Sequence, residues 1–198
     1  MKLLSVLNFY KPAYRYGGPV HSVSSLVEAM AAHGAQVRML TTDVDGDQRL
    51  KVPLGQPVML DGVEVYYYPI GKPTLGSFYY SPALVRAFRE HIRWADFAYL
   101  EVFYTHASDP MRALSRRHGV AYTTSLRAQL LPYTLNKGRL KKQAYLRLFG
   151  WRFLNQAAGL HCTDQEEARV VSALKLRSPL YVVPNGINLS RFADLPPR

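Results

Sequence analysis

The sequence predicts an α/β protein with a Rossmann-like, mostly parallel sheet and helices on both faces. Three observations predict it. Short apolar runs alternate with stretches of helical periodicity, the spacers between runs are long enough for crossover helices, and Gly, Pro or a capping residue stands at most boundaries. A length of 198 residues fits one domain able to bury a substantial core.

Residues 2–6 read as a buried strand, and 19–33 as a helix opened by Pro19 and stopped by Gly34. Residues 36–41 give a second strand. Residues 43–61, broken by Gly46, Pro53, Gly55 and Pro57, read as a loop or edge hairpin, and 63–68 as a further strand. Ser81 and Pro82 supply an N-cap and a first-turn proline for a helix that gathers Leu84, Val85, Phe88 and Ile92 on one face. A strand follows near 97–102, Asp109-Pro110 opens another helix, Gly119 closes it, and 120–125 form a strand. A long helix is expected over 138–158, with Leu140, Ala144, Leu148 and Trp151 in one stripe while Tyr145, Leu146 and Phe149 point elsewhere. It is read as packing largely on the sheet. A short strand at 159–162, a helix to about Leu174 from a capping box at Thr163-Asp164-Gln165-Glu166, and a last strand at 180–183 complete the alternation.

A 48% hydrophobic and 20% charged composition excludes a mainly disordered or collagen-like chain. No apolar run is long enough to span a bilayer, and the run 3–7 behind Lys2 lacks the length and cleavage site of a signal peptide, so a cytoplasmic location is expected. The single Cys162 has no partner for a disulfide or a metal and reads as a small buried hydrophobe. The net charge of +11 is concentrated in the middle of the chain. Between Asp109 and Asp164 there is no carboxylate, while Arg112, Arg116, Arg117, Arg127, Lys137, Arg139, Lys141, Lys142, Arg147 and Arg152 fall there among aromatic residues. Two readings stand side by side: a solvated face that serves solubility, or a field for a phosphorylated substrate, nucleic acid or an acidic membrane.

In such sheets ligands collect beyond the carboxyl ends of the strands, which points to the loops after residues 7, 41, 102 and 125. The first loop, 8–19, is too long for the tight turn of a dinucleotide fingerprint, which argues against a nicotinamide cofactor. Its Gly17-Gly18 pair precedes a proline-started helix, so backbone N–H groups can approach a phosphate with the positive helix end behind them. Lys11 and Arg15 lie in the same loop. A plain helix-entry turn would use the same glycines.

A first loop ending in Gly17-Gly18, a helix finishing in His33-Gly34-Ala35-Gln36-Val37 and a closing Pro184-Asn185-Gly186 occur together in this order. The chain thereby resembles the first, acceptor-side domain of family 4 (group 1) glycosyltransferases, which have the two-domain GT-B architecture. The resemblance implies a Rossmann-like domain over residues 1–183, a linker at 184–198, and a second domain that this chain does not contain. It implies transfer of a sugar from a nucleotide-sugar donor, with retention of configuration and no required metal or other cofactor. The acceptor would be a glycan or lipid-linked molecule of cell-envelope or polysaccharide synthesis. The donor would be held mainly by the missing domain, whose Glu-x7-Glu motif has no counterpart here, so this chain alone is expected to be inactive.

Carried over residue by residue, the resemblance lays Gly17 and Gly18 against the donor phosphates and the acceptor. Many members have a Thr-x-His-Gly pattern after the strand at 120–125. Here Ser125-Leu126-Arg127-Ala128 looks more like a Ser-Pro-Arg-Gly version, which puts Arg127 at the histidine position. A guanidinium there could hold a phosphate or sugar hydroxyl but could not act as a base at neutral pH. His21, one turn after the glycines, and His106, in the loop after 97–102, are further candidates for donor or acceptor contact; a surface histidine without a task explains His106 equally. Thr163 and Glu167 resemble a pattern near the family's domain interface, and capping alone also accounts for Thr163. Peripheral attachment to the inner face of a membrane is expected from the charge. Two rival readings remain: a stand-alone basic module for anionic polymer or membrane, without any recognisable nucleic-acid motif, and a GT-B nucleotide-sugar epimerase.

Overall fold

The computed structural model describes residues 1–71, 79–136 and 138–186. The expectations for Lys137 and for the linker beyond Gly186 lie outside the described residues. The strands are β1 (Lys2–Leu7), β2 (Gln36–Thr42), β3 (Val44–Asp45), β4 (Gln48–Arg49), β5 (Pro57–Leu60), β6 (Val63–Tyr68), β7 (Phe97–Glu101), β8 (Ala121–Ser125), β9 (Gly159–Cys162) and β10 (Leu180–Val182). The principal helices are α1 (Gly18–Ala32), α2 (Pro82–His91), α3 (Ser108–Arg117), α4 (Pro132–Asn136), α5 (Arg139–Tyr145), α6 (Trp151–Asn155) and α7 (Gln165–Ser172).

One sheet of eight strands runs in the order β10-β9-β8-β7-β1-β2-β6-β5. Every neighbouring pair is parallel except β5–β6, which closes one edge antiparallel. Of the two readings the sequence allowed for 43–61, a loop or an edge hairpin, the structure has the hairpin, β5 pairing antiparallel with β6 at the sheet edge, and a separate small β3–β4 hairpin precedes it. β1 lies in the middle, with Leu3 opposite Val37 on one side and Phe97 on the other. The fold is α/β and Rossmann-like, as its alternation required.

Strand alternation divides the core in two. Leu4, Val6, Leu40, Ala98, Leu100, Tyr122, Leu160 and Cys162 pack with α2, α3, α6 and α7. Leu3, Leu7, Val37, Met39, Val63, Val65 and Tyr99 pack on the other face with Val23 and Val27 of α1. Period-two burial on a sheet with helices on each side is what puts both sets out of water. Cys162 is fully buried, and burial pushes its thiol up to about 12, the behaviour of an inert hydrophobe.

Three details differ from the sequence reading. The helix expected over 138–158 is broken into α5, a π-helical turn (Leu146–Gly150) and α6. It packs through Tyr145, Leu146, Phe153 and Leu154, whereas Leu140, Ala144 and Leu148 of the expected stripe face solvent. Tyr145 finds Phe103, Tyr104 and Ser108 to pack on, Leu146 next to it is buried in the core, and the widened turn changes the helical phase between them and Phe153. The N-cap of α7 is Asp164 rather than Thr163: its carboxylate accepts the Glu167 N–H at 2.8 Å. The third helix begins at Ser108, one residue before the expected Asp109. Ser81 caps α2 as expected, accepting the Leu84 N–H at 3.2 Å. No helix among the described residues is long and apolar enough to cross a membrane.

Candidate functional site

The strand order reverses at β1: the chain steps to β2 and β6 on one side, then returns through α2 to β7 on the other. Loops leaving the carboxyl ends of β1 and β7 diverge there and leave a crevice. Gly17 lies in the loop after β1, between a 3-10 turn (Tyr14–Tyr16) and α1, with φ 61° and ψ −125°. That backbone excludes most side chains. Its carbonyl accepts the N–H groups of Val20 and His21 at 3.1 and 3.3 Å. Gly18 has no such backbone demand, and a Cβ built at either glycine meets nothing within 4 Å. Among the described residues, position 18 therefore has space in front of a helix N-terminus that packing does not fill.

The basic residues of the loop are turned to carboxylates. Lys11 is buried and ion-paired with Glu28 of α1 and, at 2.8 Å, with Asp61; burial alone would lower its pKa, but these two partners raise it. Tyr67 donates to the Lys11 carbonyl, so this residue fastens the loop to α1 and to the turn before β6. Arg15 pairs with Asp47 at 2.7 Å and lies 3.8 Å from Asp45. His21 is exposed and stacks on Tyr14 with ring centres 5.5 Å apart.

Arg127 is where several elements meet. It and Ala128 follow β8 with φ 42° and 61°, left-handed backbone that non-glycine residues rarely adopt. The turn is clamped from α7, because the buried Glu167 carboxylate accepts the Ala128 N–H at 2.5 Å and the Thr163 N–H at 2.7 Å. The guanidinium grips Glu101, at the end of β7, through both oxygens at 3.1 and 3.2 Å. It also donates to Ser22 Oγ at 2.8 Å and to Asn185 Oδ1 at 3.1 Å. Ser22 in turn donates to the Gly18 carbonyl at 3.0 Å. Two hydrogen bonds thus join Arg127 to the glycine loop. Burial disfavours the Arg127 charge, but Glu101 more than compensates and its pKa is raised.

Beneath this network Tyr99 and His161 form a second chain of bonds. His161 Nε2 lies 2.6 Å from the Val183 carbonyl, which can only accept, so this nitrogen carries the proton and Nδ1 accepts from Tyr99 Oη at 3.2 Å. Burial, then the Glu101 charge, holds the Tyr99 phenol far above its ordinary pKa, so it is a donor. Tyr99, Arg127, His161, Ser22 and residues 183–186 border a hollow of about 400 Å³, otherwise lined mainly by apolar groups of β1, β7 and α1. Ser125 is buried at the end of β8, opposite His161 in the ladder. His106 belongs elsewhere: its Nε2 accepts the Ser81 N–H at 3.2 Å at the start of α2, beside the Tyr80 ring.

Of the residues singled out in the sequence, Gly18 and Arg127 are brought into one network, with Gly17, Ser125 and His21 adjoining its elements. Glu101, Ser22, Tyr99, His161 and Asn185 complete it. Glu101 carried a usable signal, a carboxylate at the carboxyl end of a strand beside the reversal point, and Asn185 stood in the Pro184-Asn185-Gly186 motif; Ser22, Tyr99 and His161 had none outside the folded chain.

A model of the glycosyl transferase 4-like domain matches residues 17–186. The chain belongs to this family. A comparison with curated proteins finds no match. Among solved structures, Anabaena HepE in complex with UDP and glucose is similar at a TM-score of 0.60 and 18% identity, over 96% of this chain and 46% of that one. A sucrose-phosphate synthase structure from Thermosynechococcus elongatus gives 0.56 and 14%, over 98% and 93%. An E. coli trehalose-6-phosphate protein bound with UDP-2-fluoro glucose gives 0.56 and 13%, over 98% and 50%. The chain thus spans about half the length of HepE. These likenesses establish the fold of GT-B glycosyltransferases.

Proposed function

We propose that this chain is the acceptor-side domain of a retaining glycosyltransferase, of hexosyltransferase type, that uses a nucleotide-sugar donor. A second domain outside residues 1–198 would supply most donor contacts, and the linker would begin at Pro184. The acceptor is a glycan or lipid-linked molecule of envelope or polysaccharide synthesis, met in the cytoplasm at the inner face of the membrane. The observation that carries the reading is the open space at Gly18, in front of the α1 N-terminus and bonded through Ser22 to Arg127. An anionic diphosphate placed there meets the Gly18 N–H and the helix dipole, the neighbouring N–H groups being bonded to the Tyr14 and Gly17 carbonyls. The fixed Arg127 guanidinium, already neutralised by Glu101, orients the turn and the linker rather than acting as a base. The UDP and UDP-sugar complexes of the HepE and E. coli structures support a uridine nucleotide donor.

Gly18→Asp tests this, because the substitution separates folding from ligand. A carboxylate in the first turn of α1 should leave stability unchanged or raise it by about 0.3–1 kcal/mol. The same charge would repel a donor diphosphate. In the protein expressed from its whole reading frame, turnover of UDP-glucose is expected to fall at least about a hundredfold, the loss of roughly 3 kcal/mol of charge stabilisation. Undiminished turnover with an unchanged melting temperature would remove the phosphate site from this loop.

A further inference from the structure

Away from the crevice, one surface sets exposed apolar side chains among basic ones. Leu140, Ala144 and Leu148 recur at four-residue spacing and face solvent, with Leu140 82% and Leu148 61% exposed. Phe149 and, on α4, Tyr133 are exposed as well. The segment has already satisfied its packing through its opposite side, where Tyr145 Oη accepts the Tyr104 N–H at 3.1 Å and bonds Ser108 Oγ. Arg139, Lys141 and Arg147 are the immediate chain neighbours of the stripe and are exposed. Among the described residues none of these three makes an ion pair, and residues 110–163 contain no carboxylate to make one.

We propose that α4, α5 and the turn at Leu146–Gly150 form a docking surface for a membrane rich in anionic phospholipid. An acidic bilayer is the occupant that uses both halves of the surface. Leucine and phenylalanine enter the headgroup boundary while the neighbouring cations meet lipid phosphates, as on an interfacial amphipathic helix. A polynucleotide would engage the cations and leave the leucines in water; a protein partner would be expected to avoid lysine at the centre of its contact. The placement is directional. α4 follows the carboxyl end of β8, and Tyr104, just past the carboxyl end of β7, is bonded to α5, so the surface adjoins the side of the sheet where the crevice opens. A lipid-borne acceptor would reach the crevice from this bilayer; that consequence rests on the proposed function, but the docking itself does not.

Sedimentation of the purified protein with vesicles decides the matter. It should bind mixed phosphatidylglycerol and phosphatidylcholine vesicles and leave pure phosphatidylcholine in solution. Lys141→Gln with Arg147→Gln should weaken binding about thirtyfold at low salt. Leu140→Ser with Leu148→Ser should weaken it about tenfold or more, and neither pair should change the melting temperature, since all four side chains are exposed. Equal binding to neutral vesicles, or binding indifferent to both pairs, overturns the proposal. So does retention of duplex DNA at comparable affinity with no effect of the leucine substitutions, which would mark a polyanion surface. The vesicle measurement uses no sugar donor, so its failure leaves the transferase reading standing, and failure of the Gly18→Asp test leaves the docking surface standing.

Discussion

The guanidinium of Arg127 and the carboxylate of Glu101 are both largely out of water, with side-chain exposures of 13% and 5%. Removing one partner of such a pair costs more than the pair contributes, because the other charge stays buried without compensation. Arg127→Met should therefore lower unfolding stability by roughly 3–5 kcal/mol in urea denaturation, and adding Glu101→Leu should restore most of it. A single-variant loss below about 1 kcal/mol would show that water screens the pair. Arg127→Lys is not conservative here: one ammonium cannot hold both Glu101 oxygens while reaching Ser22 and Asn185. Arginine after a strand was legible as a ligand candidate. Its partners were not, since Glu101 lies 26 residues away and Ser22 lies 105 away.

Strands β2 and β6 are tied across their ladder by Arg38 and Glu64, paired at 2.7 Å, with Arg38 also over the Trp94 ring at 4.1 Å. Burial alone would raise the Glu64 carboxyl, but bonds from Tyr66 and Arg38 outweigh it and hold the carboxyl below its ordinary 4.5. With the folded-state value depressed, the stabilisation is complete above the unfolded carboxylate range and fades as pH falls through the lowered value. Arg38→Gln should make the acid limb of stability shallower, read from urea midpoints at neutral and acid pH; an unchanged limb would place the acid sensitivity elsewhere. Two glycines show how element packing differs from element pattern. A Cβ at Gly150 would lie 2.9 Å from Leu146 Cδ2, with Phe103 and Tyr145 close behind, and Leu146 is itself enclosed. At Gly159 the nearest atom is the Tyr181 ring at 2.6 Å, but that ring is half exposed and can swing. Gly150→Ala should cost about 1–2 kcal/mol net of the alanine helix preference, and Gly159→Ala under about 0.5 kcal/mol, by thermal melting.

At the scale of the molecule, the parallel sheet and the carboxyl-end loops follow from local information, whereas the strand order does not. Alternating strands and helices demand parallel pairing, and parallel pairing demands crossovers that place loops at the carboxyl ends. The basic middle of the chain was equally visible, because charge is a property of composition. What remained hidden was direction. The period of residues 138–158 allowed two apolar faces, and only the packing of Tyr145 on Phe103, Tyr104 and Ser108 and the burial of Leu146, at the start of a π-helical turn, decided that the leucine stripe points to solvent. The sequence by itself determined the α/β class and the glycine loop at a helix start, since these depend on neighbours within a few residues, while the candidate arginine came from the resemblance to family 4 glycosyltransferases. Tertiary structure alone decided that the loop lysine is spent on Glu28 and Asp61 and that Arg127 joins β7, α1 and Asn185, because a charge chooses its partner by proximity in space and by burial, which chain order does not record.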